Sequence, residues 1–322
     1  MEQNDHKEGA REMILTVTLN PSVDIGYKLP RFELDIVNRA LDVSKTAGGK
    51  GLNVTRVLHQ LGEDLIVTGF LGGNLGEFIR VEINKLGVHD HFVNSTGSTR
   101  NCIAIIHEGH QTEILEGGPV ITATEAISFL AQFASSIKEV DYVTISGSMP
   151  KGLDTDFYSK LLEIAQQNKT PVLLDTSGKS LKQALENVHK PFLVKPNMEE
   201  LAELLEWEVT GEDQIIEALT ESIFEDVPWI VVTLGADGAL IKHECAVYRA
   251  HIPKVNAINP VGSGDSVIAG FAAGLSRKLP DVELIKFGLS MGVLNAIEEK
   301  TGYINLEKIA WCIEQINVEK LN

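Results

Sequence analysis

An α/β fold on a mostly parallel sheet, with helices on both faces, is predicted by two observations. Short runs that are apolar throughout recur at residues 14–19, 142–146, 171–175, 192–195 and 229–234. Stretches with helical spacing of apolar residues lie between them, for example at 157–165 and 198–205. Strands apolar on both faces, alternating with helices, belong to a sheet that is covered on both sides. No short-period repeat, low-complexity tract or long linker divides the 322 residues. The chain is long enough for a substantial core.

Residues 1–12 are polar and read as a disordered extension or expression remnant, with Met13 as the natural start and the main domain running from 13 to 322. The first strand ends in Asn20-Pro21-Ser22-Val23-Asp24, which sets Asp24 just past its carboxyl end, where open α/β sheets bind ligands. Taken alone, Asp24 is more often a turn residue, since Asp and Pro are both common in turns. Two segments, about 24–46 and 99–115, alternate weakly and have no helical period. They suit a small exposed β-sheet that would lie over the main domain as a lid.

Glycines then end a strand and open an amphipathic helix at Ala47-Gly48-Gly49-Lys50-Gly51-Leu52-Asn53. The segment lacks the Gly-Lys-Ser/Thr ending of a Walker A loop, and no GxGxxG follows the first strand, which counts against a dinucleotide-dependent oxidoreductase. A structural turn explains the glycines as well as a ligand does. Lys50 and Asn53 in the same turn favour a polyhydroxylated anion.

Three later strands end in polar groups able to converge: Ser146-Gly147-Ser148, Lys195-Pro196-Asn197-Met198-Glu199-Glu200, and Thr233-Leu234-Gly235-Ala236-Asp237-Gly238. Asn197 with Glu200 also has the form of a helix start, and Gly235 to Gly238 that of a hairpin turn. The most informative stretch is Asn259-Pro260-Val261-Gly262-Ser263-Gly264-Asp265-Ser266, which leads into a helix of small and apolar residues. Its glycines let a ligand approach the backbone, and the helix N-terminus offers unpaired N–H groups to an anion. Asp265 at that terminus is either a plain cap or a proton acceptor. An anion cradle beside a carboxylate is what phosphoryl transfer to a hydroxyl requires.

Net charge is −17, which argues against nucleic-acid or anionic-membrane partners, since these are held by Lys/Arg patches. Cys102, Cys245 and Cys312 form no metal or CxxC pattern and read as free thiols of a reducing cytosol. No stretch has the length of a membrane span and no signal-peptide pattern precedes the first strand, so a cytoplasmic location is expected.

The two glycine-rich signatures, with Gly69-Phe70-Leu71-Gly72-Gly73-Asn74-Leu75-Gly76 after the first, resemble those of the PfkB (ribokinase-like) carbohydrate kinases. The likeness runs from Met13 to the C-terminus and is nearest the hexose-phosphate branch. It is carried further by Thr16-Val17-Thr18-Leu19-Asn20-Pro21-Ser22-Val23-Asp24 and Thr99-Arg100-Asn101-Cys102. Met149 and Thr176 depart from the family's usual residues, away from the expected chemistry.

The resemblance implies a ribokinase-like fold with a β-sheet lid and ATP-dependent phosphorylation of the C1 hydroxyl of a ketohexose 6-phosphate. Tagatose 6-phosphate, in lactose or galactose breakdown, is expected ahead of fructose 6-phosphate or fructose 1-phosphate. A non-catalytic sugar-phosphate-binding protein is the alternative of another class. By the same resemblance Asp265 is the base, and Gly262, Ser263 and Gly264 form the anion hole. Asp24, Gly48, Gly49 and Asn53 hold the sugar, Lys50 and Arg100 its phosphate, Ser146 and Ser148 line the sugar site, and Arg39 reaches a phosphate from the lid. Lys195, Asn197, Thr233, Gly235, Gly238 and, at an adenine site, Asn295 attend the nucleotide. Asn197 and Glu200 order Mg²⁺ largely through water. A homodimer through the lid is also implied.

Overall fold

The structure, a computed structural model, describes residues 12–321; the expectation for residues 1–12 therefore lies, Glu12 apart, outside the described residues. The strand Met13–Thr18 is flanked on both sides by parallel partners, Asp64–Leu71 and Tyr142–Ser146. The parallel run continues through Val172–Asp175, Leu193–Val194 and Trp229–Thr233. The sheet then turns antiparallel through Ala239–His243, Ala246–His251 and Asn317–Lys320. Each strand expected from the apolar runs is present. The Gly235–Gly238 segment is the turn of a hairpin, as its composition allowed, and Gly235 and Gly238 both have positive φ.

Two apolar layers cover the sheet. One contains the inner faces of Lys50–Gln60, Gly73–Leu86, Ser263–Ser276, Asp281–Ala296 and Ile309–Gln315. The other contains those of Ala123–Ser136, Phe157–Gln167, Gly178–Glu186, Met198–Leu205 and Glu212–Ala218. Strands covered on both faces must be apolar along their whole length, which explains the continuous runs in the sequence. No helix among the described residues is long and apolar enough to cross a membrane. Cys102 and Cys312 form no disulfide.

A separate four-stranded sheet has the order Asp42–Gly48, Ser22–Leu29, Arg100–His107, His110–Leu115. Its central pair, Ser22–Leu29 with Arg100–His107, is parallel although the outer pairs are antiparallel. Two segments remote in sequence thus join to make it. Register sets Asp24 opposite both Thr46 and Cys102.

Helix Ser263–Ser276 is buried over most of its length and packs on Asp281–Ala296 through small residues. A Cβ on Gly270 would lie 2.8 Å from the Gly288 Cα. Contact with backbone leaves no side chain to move aside, so Gly270→Val must push the helices apart. The expected cost is about 1–3 kcal/mol, read as a lower Tm, and an unchanged Tm would refute the packing argument.

Candidate active site

The carboxyl ends of the parallel strands and the small sheet enclose a cavity of about 1350 Å³. A smaller one of about 460 Å³ shares Lys50 and Arg100 with it. The larger is lined by residues expected for sugar, nucleotide and chemistry alike: Asp24, Gly49, Asn53, Lys195, Asn197, Glu200, Thr233, Gly235, Gly238 and the turn Gly262 to Asp265. Ser146 and Ser148 line the smaller one, beside Thr18, Asn20 and Lys151.

The turn before Ser263–Ser276 is what opens that helix end. Gly262 caps it at φ +82°, a left-handed conformation that a side chain would strain. The N–H of Ser263 donates to Pro260 O and that of Ser266 to Gly262 O. Among the described residues no acceptor meets the N–H groups of Gly262, Gly264 and Asp265, so these can face an anion, whereas the N–H of Ser263, expected in the anion hole, is taken by Pro260 O. The Lys195 ammonium sits against this end, 3.1 Å from where a Gly264 Cβ would stand.

Asp265 is 5 % exposed, and its Oδ2 accepts a hydrogen bond of 2.7 Å from Asn53 Nδ2. Burial, reinforced by the like charge of Asp175, pushes its carboxyl up to about 6, against the opposing pull of Lys50, the Asn53 bond and Lys195. Asp175, 1 % exposed at the end of its strand, lies 3.3 Å from Lys195 Nζ and 3.6 Å from Lys50 Nζ. Burial alone would raise it, but the two lysines hold it below the usual carboxylate range. Asp175 in turn raises Lys50, which stays a cation.

Where the small sheet meets the cavity, Ser22 Oγ donates to Asp24 Oδ1 at 2.7 Å, and burial raises the Asp24 carboxyl. Gly48 lies outside the cavity lining but makes room for Asp24: a Cβ there would stand 2.1 Å from the carboxylate. Arg100 is held by donation from Nε to Asn20 O at 3.2 Å and from Nη1 to Glu116 O at 2.9 Å. Its fork is thereby fixed at the junction of the two cavities.

Asn197 and Glu200 form a reciprocal capping box, so the helix-start explanation holds alongside their place on the cavity wall. Two expected residues are elsewhere. Arg39 is exposed in the loop after Ser22–Leu29 and lines neither cavity. Asn295 is fully buried, its amide donating to Val261 O at 2.9 Å and accepting from Gly302 N at 2.8 Å. It braces the 259–263 turn instead of lining the cavity.

Asp175 and Arg56 line the cavity without having been singled out. The signal for Asp175 was a carboxylate closing an apolar strand at its ligand-binding end. For Arg56 it was the spacing of three from Asn53, which puts both on one helix face.

A buried carboxylate at an open helix N-terminus with lysines around it, on this sheet and under this small second sheet, fits a kinase of the ribokinase-like class. The chain belongs to the pfkB family: the profile described as pfkB family carbohydrate kinase matches residues 17–308. A tagatose-6-phosphate kinase from Staphylococcus epidermidis is 48 % identical to it over 95 % of this chain and 99 % of its own. Among solved structures, one described as a possible 1-phosphofructokinase from Thermotoga maritima superposes with a TM-score of 0.88 at 27 % identity, covering 96 % of this chain and all of that one. Phosphofructokinase-2 from Escherichia coli, in complex with potassium, gives 0.87 at 25 %, covering 95 % and 99 %.

Since burial favours the neutral acid, Asp265 accepts a proton only above about pH 6. The acceptor's own phosphate titrates nearby, at about 6, so the useful quantity is the wild-type rate divided by that of Asp265→Asn. This ratio should climb from pH 5 and level off above pH 7. A ratio independent of pH would show that Asp265 does not titrate in the reaction.

Proposed function

We propose that this chain transfers the γ-phosphoryl group of ATP to the C1 hydroxyl of a ketohexose 6-phosphate, with D-tagatose 6-phosphate as the preferred acceptor. The observation that carries the reaction is Asp265, buried at an open helix N-terminus in the cavity that also holds Lys50, Arg100 and Lys195. The acceptor is supported by the 48 % identity to a tagatose-6-phosphate kinase over nearly the whole of both chains.

In the reaction the C1 oxygen attacks the γ-phosphorus in line, and the bond from that phosphorus to the β,γ-bridging oxygen breaks as ADP leaves. The hydroxyl proton passes to Asp265 through Oδ1, the oxygen not engaged by Asn53. Charge on the transferred group meets the Gly264 and Asp265 N–H groups and the Lys195 ammonium. Arg100 and Lys50 take the 6-phosphate, since Arg presents a planar fork to two oxygens. Ser146 and Ser148 line the sugar end, and Asp24 with Asn53 bonds the hydroxyls. Thr233, Gly235 and Gly238 face the nucleotide.

The donor set suits Mg²⁺. Both Asp175 oxygens are buried without a hydrogen bond, and Asn197 and Glu200 add oxygen ligands on the same wall. Such hard ligands hold Mg²⁺ partly through its retained waters, and the ion offsets phosphate charge.

A second reading, with fructose 1-phosphate as acceptor, is favoured by the Thermotoga maritima neighbour. ADP release measured with tagatose 6-phosphate, fructose 6-phosphate and fructose 1-phosphate separately decides between them. The highest kcat/KM is expected on tagatose 6-phosphate, and a higher value on fructose 1-phosphate would reassign Arg100 and Lys50. In the same assay Asp265→Asn should lose about 10²–10⁴-fold in kcat with little change in sugar binding.

We also propose a homodimer formed through the small sheet. Ile106 and Leu115, on the side that bears Asp24 and at the edge of the larger cavity, are 37 % and 61 % exposed, and Leu34, Ile36, Val37 and Leu41, in the loop before Asp42–Gly48, are exposed as well. A second copy covering this surface would remove it from water. Light scattering should give twice the chain mass of 35.2 kDa, reduced to one chain by Leu115→Glu. A wild-type monomer at micromolar concentration would refute the dimer.

A further inference from the structure

We propose that Arg56 is a positioning residue for the catalytic carboxylate, acting through Asn53; this rests on the assignment of Asp265 as proton acceptor. Arg56 follows Asn53 by one turn on helix Lys50–Gln60. Its Nη1 donates to the Ala47 carbonyl and its Nη2 to Asn53 Oδ1. A guanidinium has donors only, so the amide oxygen of Asn53 must face it. The amide nitrogen is then turned to Asp265 Oδ2. An unconstrained Asn exposes either end at similar cost, and the flipped amide would set oxygen against carboxylate. Arg56 thus selects the amide orientation that donates to Asp265 and leaves Oδ1 for the acceptor's proton.

Other features fit this role better than plain packing. Arg56 Nε is buried with no acceptor, and a Gly302 Cβ would stand 3.0 Å from it, so the loop fits closely over the guanidinium. Gln60, a turn further on, holds the same loop by donating to Gly302 O and accepting from Ile304 N. Burial lowers the Arg56 basicity, while Asp24, Tyr303 and Asp265 pull it back up. No carboxylate among the described residues pairs with it at salt-bridge distance. A buried guanidinium without a close ion pair is costly, and this one directs its donors to the residue that holds the base. Asp265 is faced by Asp175, Lys50 and Lys195 besides Asn53, and these are untouched by substitutions at 56.

The experiment is steady-state kinetics across pH for Arg56→Met and Arg56→Lys, each alone and combined with Asn53→Ala, with Asp265→Asn alongside. Arg56→Met should lower kcat by ~10- to 100-fold with a smaller change in KM for the sugar phosphate. Its acid limb should move to higher pH, because the bond and the charge that favour the carboxylate are lost. Arg56→Lys keeps the charge but not the fork, so its limb should stay nearer wild type while kcat remains reduced. In the Asn53→Ala background either substitution should have a much smaller effect on kcat, since the connection is already cut, while the part of the limb shift due to the lost charge remains.

Wild-type kcat and an unmoved limb in both Arg56 variants would overturn the proposal. So would equal losses with and without Asn53, which is what a purely structural arginine gives. Should Arg56→Met not fold, the Arg56→Lys arm with and without Asn53 decides in the same way. Full turnover in Asp265→Asn is a separate result that removes the base itself.

Discussion

The site depends on keeping one carboxylate out of water while leaving it able to ionise near neutral pH. Burial opposes the charge on Asp265, and the opposition would be larger without Lys50, Lys195 and the Asn53 hydrogen bond. Those groups come from two elements: Lys50 and Asn53 from the first turn of the glycine-opened helix, and Lys195 from the end of a central strand. The fold is thus a means of bringing two remote stretches to one helix N-terminus. The close Gly270–Gly288 contact serves that end too, since it fixes the helix whose first turn carries Asp265.

The same geometry explains why the residues expected for the sugar and those expected for the nucleotide meet. Parallel strands deliver all their carboxyl ends to one side, so Ser146, Asp175, Lys195 and Thr233 arrive together without being near in sequence. The small sheet adds Asp24 and Arg100 from two insertions, joined by parallel pairing of Ser22–Leu29 with Arg100–His107. Water in such a cavity competes with the sugar as phosphoryl acceptor, and a wall on the open side limits it.

Much of this was legible in the sequence because periodicity and glycine placement are local signals. Continuous apolar runs gave the parallel strands, and the 262–265 turn gave the helix end and its carboxylate. Asn197 and Glu200 show why a local motif underdetermines function: one capping box satisfies the helix and still lines the cavity. Asp24 was more readily read as a turn residue, and only the register of the small sheet sets it toward the cavity. What stayed illegible depended on partners far away in the chain. Asn295 looked like a ligand contact, but its partners Val261 O and Gly302 N commit it to bracing the turn. Arg56 looked like an ordinary helix arginine, because nothing in its neighbourhood of sequence announces a loop at Gly302 packed over it.

The charge balance links the acidic chain to its anionic ligands. A protein of net charge −17 repels phosphates at a distance, so attraction must come from cations concentrated where screening by water is weakest. Lys50 and Lys195 meet that need, but side by side they would repel each other in the empty site. Asp175 between them removes the conflict. Its contacts of 3.3 and 3.6 Å are longer than the 2.7–2.9 Å of a strong charge-assisted bond. The lysines are therefore oriented by Asp175 without a short bond to it. Two lysines with one carboxylate between them keep a surplus of positive charge at this point of an otherwise acidic chain, which favours an anion there.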